Sequence, residues 1–458
     1  MSRLNLTNNI LLSSILLTIA MTSSCGSEHK QNKYNKPLSY SQITRKNCEA
    51  DTNQSYEVYL PSGYSSKQKW PVIYAFDPHG DGKLAVEHFK YAAENFGYII
   101  LGSNNSRNGL PTIDYTLKVL LDDAKKNFAI DPNRQYAGGF SGGGRVALML
   151  ATQYGSIKGI LTCGAGLSGF NPQTAPAKFD IYAIAGREDF NYDEVIAIPQ
   201  QFANTDWRFV STAFDGSHEW PSSNLIYKAV LWFQLNAMKD KIIPKDNDII
   251  DATMDSVKQD YEQMVTNGKL TEAADVCKTG ISFLNELTST KKLEKKIENL
   301  QVQDNYIAEL HKAEQLNTME IQLKQGFLQS FTTEGLDWWK NELNGLTNRI
   351  DQNNDIASRQ MYSRVKGFLG IVCYSFTSKA LSDNDEAQTI KCLTIYQTLE
   401  PKNPDCFFYK AVFLDKKNKT AEAVDTLKKA ISLGFKDMSK LNSSLSKKTL
   451  QLFESRNK

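Results

Sequence analysis

The chain is poor in several things that would have marked a function class. Its 458 residues include 7 cysteines and no Cys-x-x-Cys pair, too few for a disulfide scaffold and no basis for a cysteine-bound zinc. Neither sign of charge prevails, since Lys+Arg 53 face Asp+Glu 51 for a net +2, so no basic field points to nucleic acid. The apolar run Ile10–Met21 has 12 residues, short of the roughly 20 that span a bilayer. Histidines number only 5, which makes each worth locating. With 41% hydrophobic and 23% charged residues, wholesale disorder and a multi-span membrane protein are both excluded. At about 150 residues per domain the length suggests two or three domains.

The N-terminus is a short polar stretch with one cation, Arg3, then Ile10–Met21, then Thr22, Ser23, Ser24, Cys25 and Gly26. The apolar run suits the core of an export signal. The whole segment resembles a bacterial lipoprotein signal. That resemblance implies removal of residues 1–24, acylation of Cys25, a polar tether over 25–50, and a protein anchored by lipid in the bacterial cell envelope, periplasmic or outward-facing. Simple secretion and a buried apolar helix are the alternatives. Export would permit disulfides among the six other cysteines, but their spacing selects no pair.

From 51 to 240 short β-type runs alternate with helical ones. The strand-like runs are 56–60, 71–76, 97–101, 135–140, 157–163, 179–185 and 207–214; helical spacing covers 113–129, 144–154 and 222–237, with Ser222 or Ser223 as the last N-cap. Such alternation predicts a mostly parallel sheet flanked by helices. Residues 241–250 form a charged, Pro-containing linker, and from 251 to 458 glycine thins out and 3.6-residue periodicity takes over.

Gly139-Phe140-Ser141-Gly142-Gly143 is a Gly-x-Ser-x-Gly between a strand and a small-residue helix. A strand-to-helix elbow needs glycines because the turn is strained and the helix must approach the strand closely, and it exposes the serine hydroxyl at the sheet's carboxyl edge. The Gly142 amide then faces a developing oxyanion. Gly166-Leu167-Ser168-Gly169 breaks the spacing and reads as a loop. In the order Ser, acid, His, the base is His218, after the last strand in Asp215-Gly216-Ser217-His218-Glu219-Trp220-Pro221. The acid follows the strand 179–185, and Asp189, three residues past Gly186, is the choice over its rivals Glu188 and Asp193. A second oxyanion amide should come from the loop after 71–76, with His79, Gly80 and Asp81 as candidates; alternatively His79 touches substrate through its ring, or the loop is an ordinary turn.

The pieces YEVYLPSGY, WPVIYAFDPHGDG, DPNRQYAGGFSGGG and GSHEWP make this part of the chain similar to the α/β-hydrolase superfamily, in particular to the esterase branch of polyhydroxybutyrate depolymerases, feruloyl esterases and acetyl xylan esterases. The resemblance implies hydrolysis of carboxylic esters through an acyl-serine, with Ser141, Asp189 and His218 at the triad positions. It calls for no cofactor and no metal. Asp77-Pro78-His79-Gly80 departs from the glycine-richer His-Gly loop of many members. With no long insertion between Leu167 and Phe179 there is no large lid, which favours soluble, carbohydrate-linked or polyester substrates over aggregated lipid. Phe140, Tyr192 and Trp220 are candidates to flank the substrate or simply to pack, and Asn104, Asn105, Ser106 and Arg107 either line the mouth or form a solvated loop.

In the C-terminal half Phe407, Ala411, Leu414, Ala423, Leu427 and Ala430 fit a tetratricopeptide-like helix pair, Leu393 with Thr389 and Tyr396 a degenerate one, and Ala273, Cys277 and Gly280 another. Residues 290–325 suggest one or two long amphipathic helices. The expectation is a helical-repeat domain whose apolar stripes are mostly core, with a protein-binding groove as the sharper reading. A serine peptidase using the same triad, or a binding protein on an idle hydrolase scaffold, are the rival functions.

Overall fold

The computed structural model describes residues 41–456. The signal segment, Cys25, His29 and the first part of the expected tether lie outside the described residues. Eight strands form one sheet: β1 (Ile43–Asn47), β2 (Ser55–Tyr59), β3 (Trp70–Phe76), β4 (Ile99–Ser103), β5 (Ile130–Phe140), β6 (Ile157–Cys163), β7 (Asp180–Gly186) and β8 (Phe209–Phe214), in the order β1-β2-β4-β3-β5-β6-β7-β8. β2 pairs antiparallel to both β1 and β4, and every pair from β4 onward is parallel. Strands buried on both faces read as continuous apolar runs, as in Val72–Phe76.

The connecting helices are α1 (Gly82–Phe96), α2 (Ile113–Asn127), α3 (Gly142–Gln153), the short α4 (Tyr192–Ile196) and α5 (Ile198–Gln201), and α6 (Ser223–Lys239). Asp81 caps α1 by accepting from the Leu84 amide, and Gly97 ends it at a left-handed φ of 70°. Leu117, Leu120, Leu121 and Ala124 of α2 and Ala147, Leu150 and Ala151 of α3 fill one face of the sheet. Val86 and Phe89 of α1 and Ile226, Val230 and Trp232 of α6 fill the other. This is the α/β-hydrolase fold, and a large all-helical region follows it.

One boundary needs correcting. The sheet begins at Ile43, inside the stretch 25–50 expected to be tether. Ile-Thr-Arg-Lys-Asn is polar because β1 is an edge strand with a single ladder partner, and Arg45 secures it by donating to Ser55 Oγ at 2.9 Å. The linker 241–250 is likewise partly helix.

The helical region comprises α7 (Asn247–Thr266), α8 (Leu270–Leu284), α9 (Lys291–Gln301), α10 (Asp304–Thr333), α11 (Leu336–Asp351), α12 (Ile356–Ser382), α13 (Glu386–Leu399), α14 (Pro404–Lys416), α15 (Thr420–Ser432), α16 (Met438–Ser444) and α17 (Lys447–Ser455). α7 pairs with α8, α12 with α13 and α14 with α15, while α10 packs on α12; Ala411, Ala423, Leu427 and Ala430 lie buried where α14 meets α15. Ile250 of α7 and Phe283 and Leu284 of α8 enter the same apolar cluster as Tyr182 and Trp232 beneath the sheet. The core therefore runs from the sheet into α7 and α8, and α10 to α16 enclose an apolar cluster of their own. No helix among the described residues is long and apolar enough to cross a membrane.

Candidate active site

Six loops leave the carboxyl ends of β3 to β8, and the residues singled out from the sequence lie on them, at the edge where open α/β sheets bind ligands. The elbow follows β5. Ser141 has φ 51° and ψ −120°, a conformation that a non-glycine residue holds only under constraint. The constraint is close packing. A Cβ on Gly143 would lie 2.1 Å from the Phe76 carbonyl oxygen, and one on Gly139 would lie 2.5 Å from Gly143 backbone, so β3, β5 and the start of α3 touch backbone to backbone. The Ser141 amide donates to the Cys163 carbonyl at 2.7 Å. Gly144 and Arg145 donate to the Ser141 carbonyl, while Gly142 and Gly143, in the first turn of α3, have no intrahelical acceptor.

Ser141 Oγ lies 2.9 Å from His218 Nε2, and His218 Nδ1 lies 2.9 Å from Asp189 Oδ1. With the proton on Nδ1, the imidazole donates to the carboxylate and accepts from the hydroxyl. Asp189 is fully buried, and its Oδ1 also accepts from the Asn191 amide at 2.8 Å. Its Oδ2 has no hydrogen-bond partner and rests against Gly164, whose Cβ, if present, would be 2.8 Å away. Asn191 Nδ2 donates to the Gly164 carbonyl at 2.7 Å, tying the loop after β7 to the loop after β6. Of the rival carboxylates, Asp193 pairs with Lys324 at 2.8 Å, and among the described residues no hydrogen bond joins the Glu188 carboxylate to His218. The imidazole sits between two rings, Phe190 at 4.2 Å and Phe140 at 4.7 Å.

The turn after β3 is committed to itself. The His79 amide donates to Asp77 Oδ1 at 2.8 Å, the Gly80 amide donates to the Asp77 carbonyl at 3.0 Å, and Asp81 caps α1. Burial alone would raise the Asp77 carboxyl; hydrogen bonds from the His79 ring, the Trp220 indole and the His79 amide outweigh it and hold the group below its ordinary value. The His79 ring is 82% exposed, and its pKa is raised by the hydrogen bond to Asp77; Asp405 on α14 adds to the rise and Lys436 opposes it. Asn108 donates its amide to the Pro78 carbonyl at 2.8 Å, and its side chain lies over Gly142, where a Cβ would be 1.6 Å from Asn108 Oδ1. Asn104 and Asn105 are turned to β2, bonding Ser55 and Glu57.

Each of the three candidate flanking aromatics has packing partners. Phe140 is buried beneath His218. Trp220 stacks on His88 at 4.6 Å and donates to Asp77 Oδ2 at 3.1 Å, which ties the base loop to the β3 turn. Tyr192 lies under the Arg364 guanidinium at 4.6 Å. Phe190, Asn108 and Gly164 were not picked out from the sequence. Asn108 was within reach, because it continues the polar run after the fourth strand. The other two act only through space. Among the described residues no cluster of His, Cys, Asp or Glu could hold a metal, and the six cysteines are buried free thiols.

No protein-family model matches the chain, and no curated protein matches its sequence. Solved structures similar to it include a fluorophosphonate-binding serine hydrolase of Staphylococcus aureus (14% identity, 39% of this chain and 92% of that one, TM-score 0.33). An S-formylglutathione hydrolase of the same organism is similar at 15% identity (42% and 98%, TM-score 0.34). A ferulic acid esterase is similar at 16% identity (41% and 96%, TM-score 0.34). Likeness at this level carries no argument about what this chain does.

Proposed function

We propose that the chain is a serine hydrolase that cleaves carboxylic esters through an acyl-enzyme. The observation that carries the reading is the unbroken line from Ser141 Oγ through His218 to a buried Asp189, each link 2.9 Å, at the carboxyl edge of a parallel sheet. Ser141 Oγ adds to the ester carbonyl carbon as His218 Nε2 takes its proton. The carbonyl π pair moves to the oxygen, which the Gly142 amide receives. The His79 and Gly80 amides are already engaged, and the Asn108 side-chain amide, which lies over Gly142, is the second donor once it is flipped to bring Nδ2 where Oδ1 now lies. Collapse of the adduct expels the alcohol, protonated by His218. Water then enters by the same route and releases the acid, restoring the hydroxyl. Asp189 holds the imidazole in the required tautomer and stabilises the imidazolium.

A fluorophosphonate probe tests the reading: it should label the wild-type chain and not Ser141→Ala. An unlabelled wild type would leave the hydrolase part a scaffold for helix-borne binding. Acetyl, feruloyl and hydroxybutyryl esters set beside peptide amides would then separate esterase from peptidase.

Two further proposals rest on the sequence. Cys25 carries a lipid anchor on an exported chain, checked by incorporation of a fatty-acid analogue that Cys25→Ala abolishes. The helical region is a tetratricopeptide-like array.

A further inference from the structure

The segment Arg187–Asp193, which carries Asp189, is gripped from outside the hydrolase part. Glu320 on α10 is 0% exposed. It receives the Arg364 guanidinium of α12 as a fork, with Nε at 3.1 and 3.0 Å and Nη2 at 2.5 Å. The remaining Arg364 nitrogen, Nη1, donates to the Arg187 carbonyl at 2.7 Å, and the guanidinium plane covers the Tyr192 ring. Lys324, one turn beyond Glu320, bridges Glu320 at 2.7 Å and Asp193 at 2.8 Å. Both ends of the acid loop are thus fixed by one charge cluster centred on the buried Glu320. Between them Phe190 packs on His218, and its other side meets α12 at Gly367, where a Cβ would lie 3.4 Å from Phe190. The base loop is held on the same side: Arg187 pairs with Asp215 at 3.2 Å and with Glu272 of α8 at 3.0 Å, and Gln360 of α12 donates to Asp215 at 3.4 Å.

A buried ion pair is a poor device for stability alone, because apolar residues of the same volume serve as well or better. What apolar residues cannot do is hold a carbonyl at a fixed place. Arg364 spends two nitrogens on Glu320, which fixes the guanidinium, and the third on the backbone two residues before Asp189.

We propose that Arg364 is a positioning residue for hydrolysis, locking the Arg187–Asp193 segment so that Asp189 and Phe190 meet the His218 imidazole. The proposal rests on the serine-hydrolase reading above. The helical region is then a working part of the hydrolytic site and not a separate appendage.

The test uses the full chain in three forms: wild type, Arg364→Ala, and the double variant Glu320→Met with Arg364→Met, which removes both buried charges and keeps their volume. Melting temperature, kcat, KM and the rate of fluorophosphonate labelling are measured on each. The double variant should melt near the wild type, yet lose about ten- to a hundredfold in kcat and in labelling rate, with KM within about twofold. Arg364→Ala, where it folds, should lose at least as much. A folded double variant with wild-type kcat and labelling rate overturns the proposal. So does a double variant that does not fold, since the pair would then be an ordinary structural one. A wild type that the probe does not label defeats the serine-hydrolase reading itself, and is distinguished by that.

Discussion

Gly164→Ala puts one methyl group against both Asp189 and His218. Gly164 follows β6 at φ +60°, and its ideal Cβ would lie 2.8 Å from Asp189 Oδ2, 2.9 Å from Phe140 Cε2 and 3.2 Å from His218 Cε1. Two effects add. The left-handed backbone costs an alanine roughly 1–2 kcal/mol in stability. The contacts force the carboxylate or the imidazole to move by several tenths of an ångström, and a misplacement approaching 1 Å can cost about 10²-fold in rate. Asp189 has little room to yield, since it is fully buried and its Oδ1 already serves His218 and Asn191. Gly169 separates the two effects. It has φ +77° and nothing within 4 Å of its ideal Cβ, so Gly169→Ala pays the strain without touching the site. Thermal melts and steady-state kinetics on an ester should show a stability loss in both variants, larger for Gly164→Ala because its methyl is also overpacked, with kcat falling only for Gly164→Ala. If the two variants keep the same kcat within about twofold, the geometry around Asp189 is not what limits the reaction and the reasoning fails.

Asn108→Ala should lower kcat by about 10²-fold with little change in KM if its amide stabilises the oxyanion; an equal rise in KM with kcat intact would make it a ground-state contact. Asp189→Asn should lower kcat by about 10⁴-fold through the wrong imidazole tautomer, while Glu188→Gln, the rejected rival, should stay near wild type in the same assay. Asp77 is held below its ordinary pKa in the folded chain; a carboxyl depressed in this way contributes stability above its unfolded value, near about 3.9, and loses it as pH falls through the folded one. Denaturant titrations should therefore show the advantage of wild type over Asp77→Asn shrinking below about pH 4, and declining again above about pH 6.5 as His79, whose pKa Asp77 raises, gives up its proton; an advantage that grows from about pH 4 toward acid contradicts the assignment.

The sheet from β2 to β8 was legible because each of these strands carries its own signal. Val72–Phe76 and Ile157–Cys163 are apolar runs bounded by turns, and the parallel order follows from the helices between them. The elbow was legible because its strain demands glycine in a local pattern. β1 was not, because an edge strand can be as polar as a tether, and Arg45 and Lys46 disguise it. The aromatics beside the site were ambiguous for a related reason. Trp220 stands two residues from His218, but sequence cannot say that His88 and Asp77 will occupy its faces and its N–H. Gly164 and Phe190 carry no local signal, since their neighbours come from other strands. Arg364 reaches a carbonyl 177 residues away, a distance at which no periodicity speaks.

These differences in legibility follow differences in how the parts of the site are held. The Ser141 elbow is fixed by backbone contacts among β3, β5 and α3, and no side chain need be ordered to maintain it. His218 lies on a loop pinned by Trp220 to Asp77, by the Gly216 carbonyl to the Glu188 amide, and through Asp215 to Arg187 and Gln360. The Asp189 loop is held within the hydrolase part by the Arg187 amide on the Phe214 carbonyl, the Glu188 amide on the Gly216 carbonyl and Asn191, and from outside it by Arg364 and Lys324. Those two helical residues converge on Glu320, a carboxylate with no exposed surface, so shifting α10 against α12 breaks the fork, the bridge to Asp193 and the hold on Arg187 together. A perturbation of the helices thus reaches the orientation of the imidazole before it reaches the hydroxyl. It would slow proton transfer while leaving the elbow and its oxyanion amide in place.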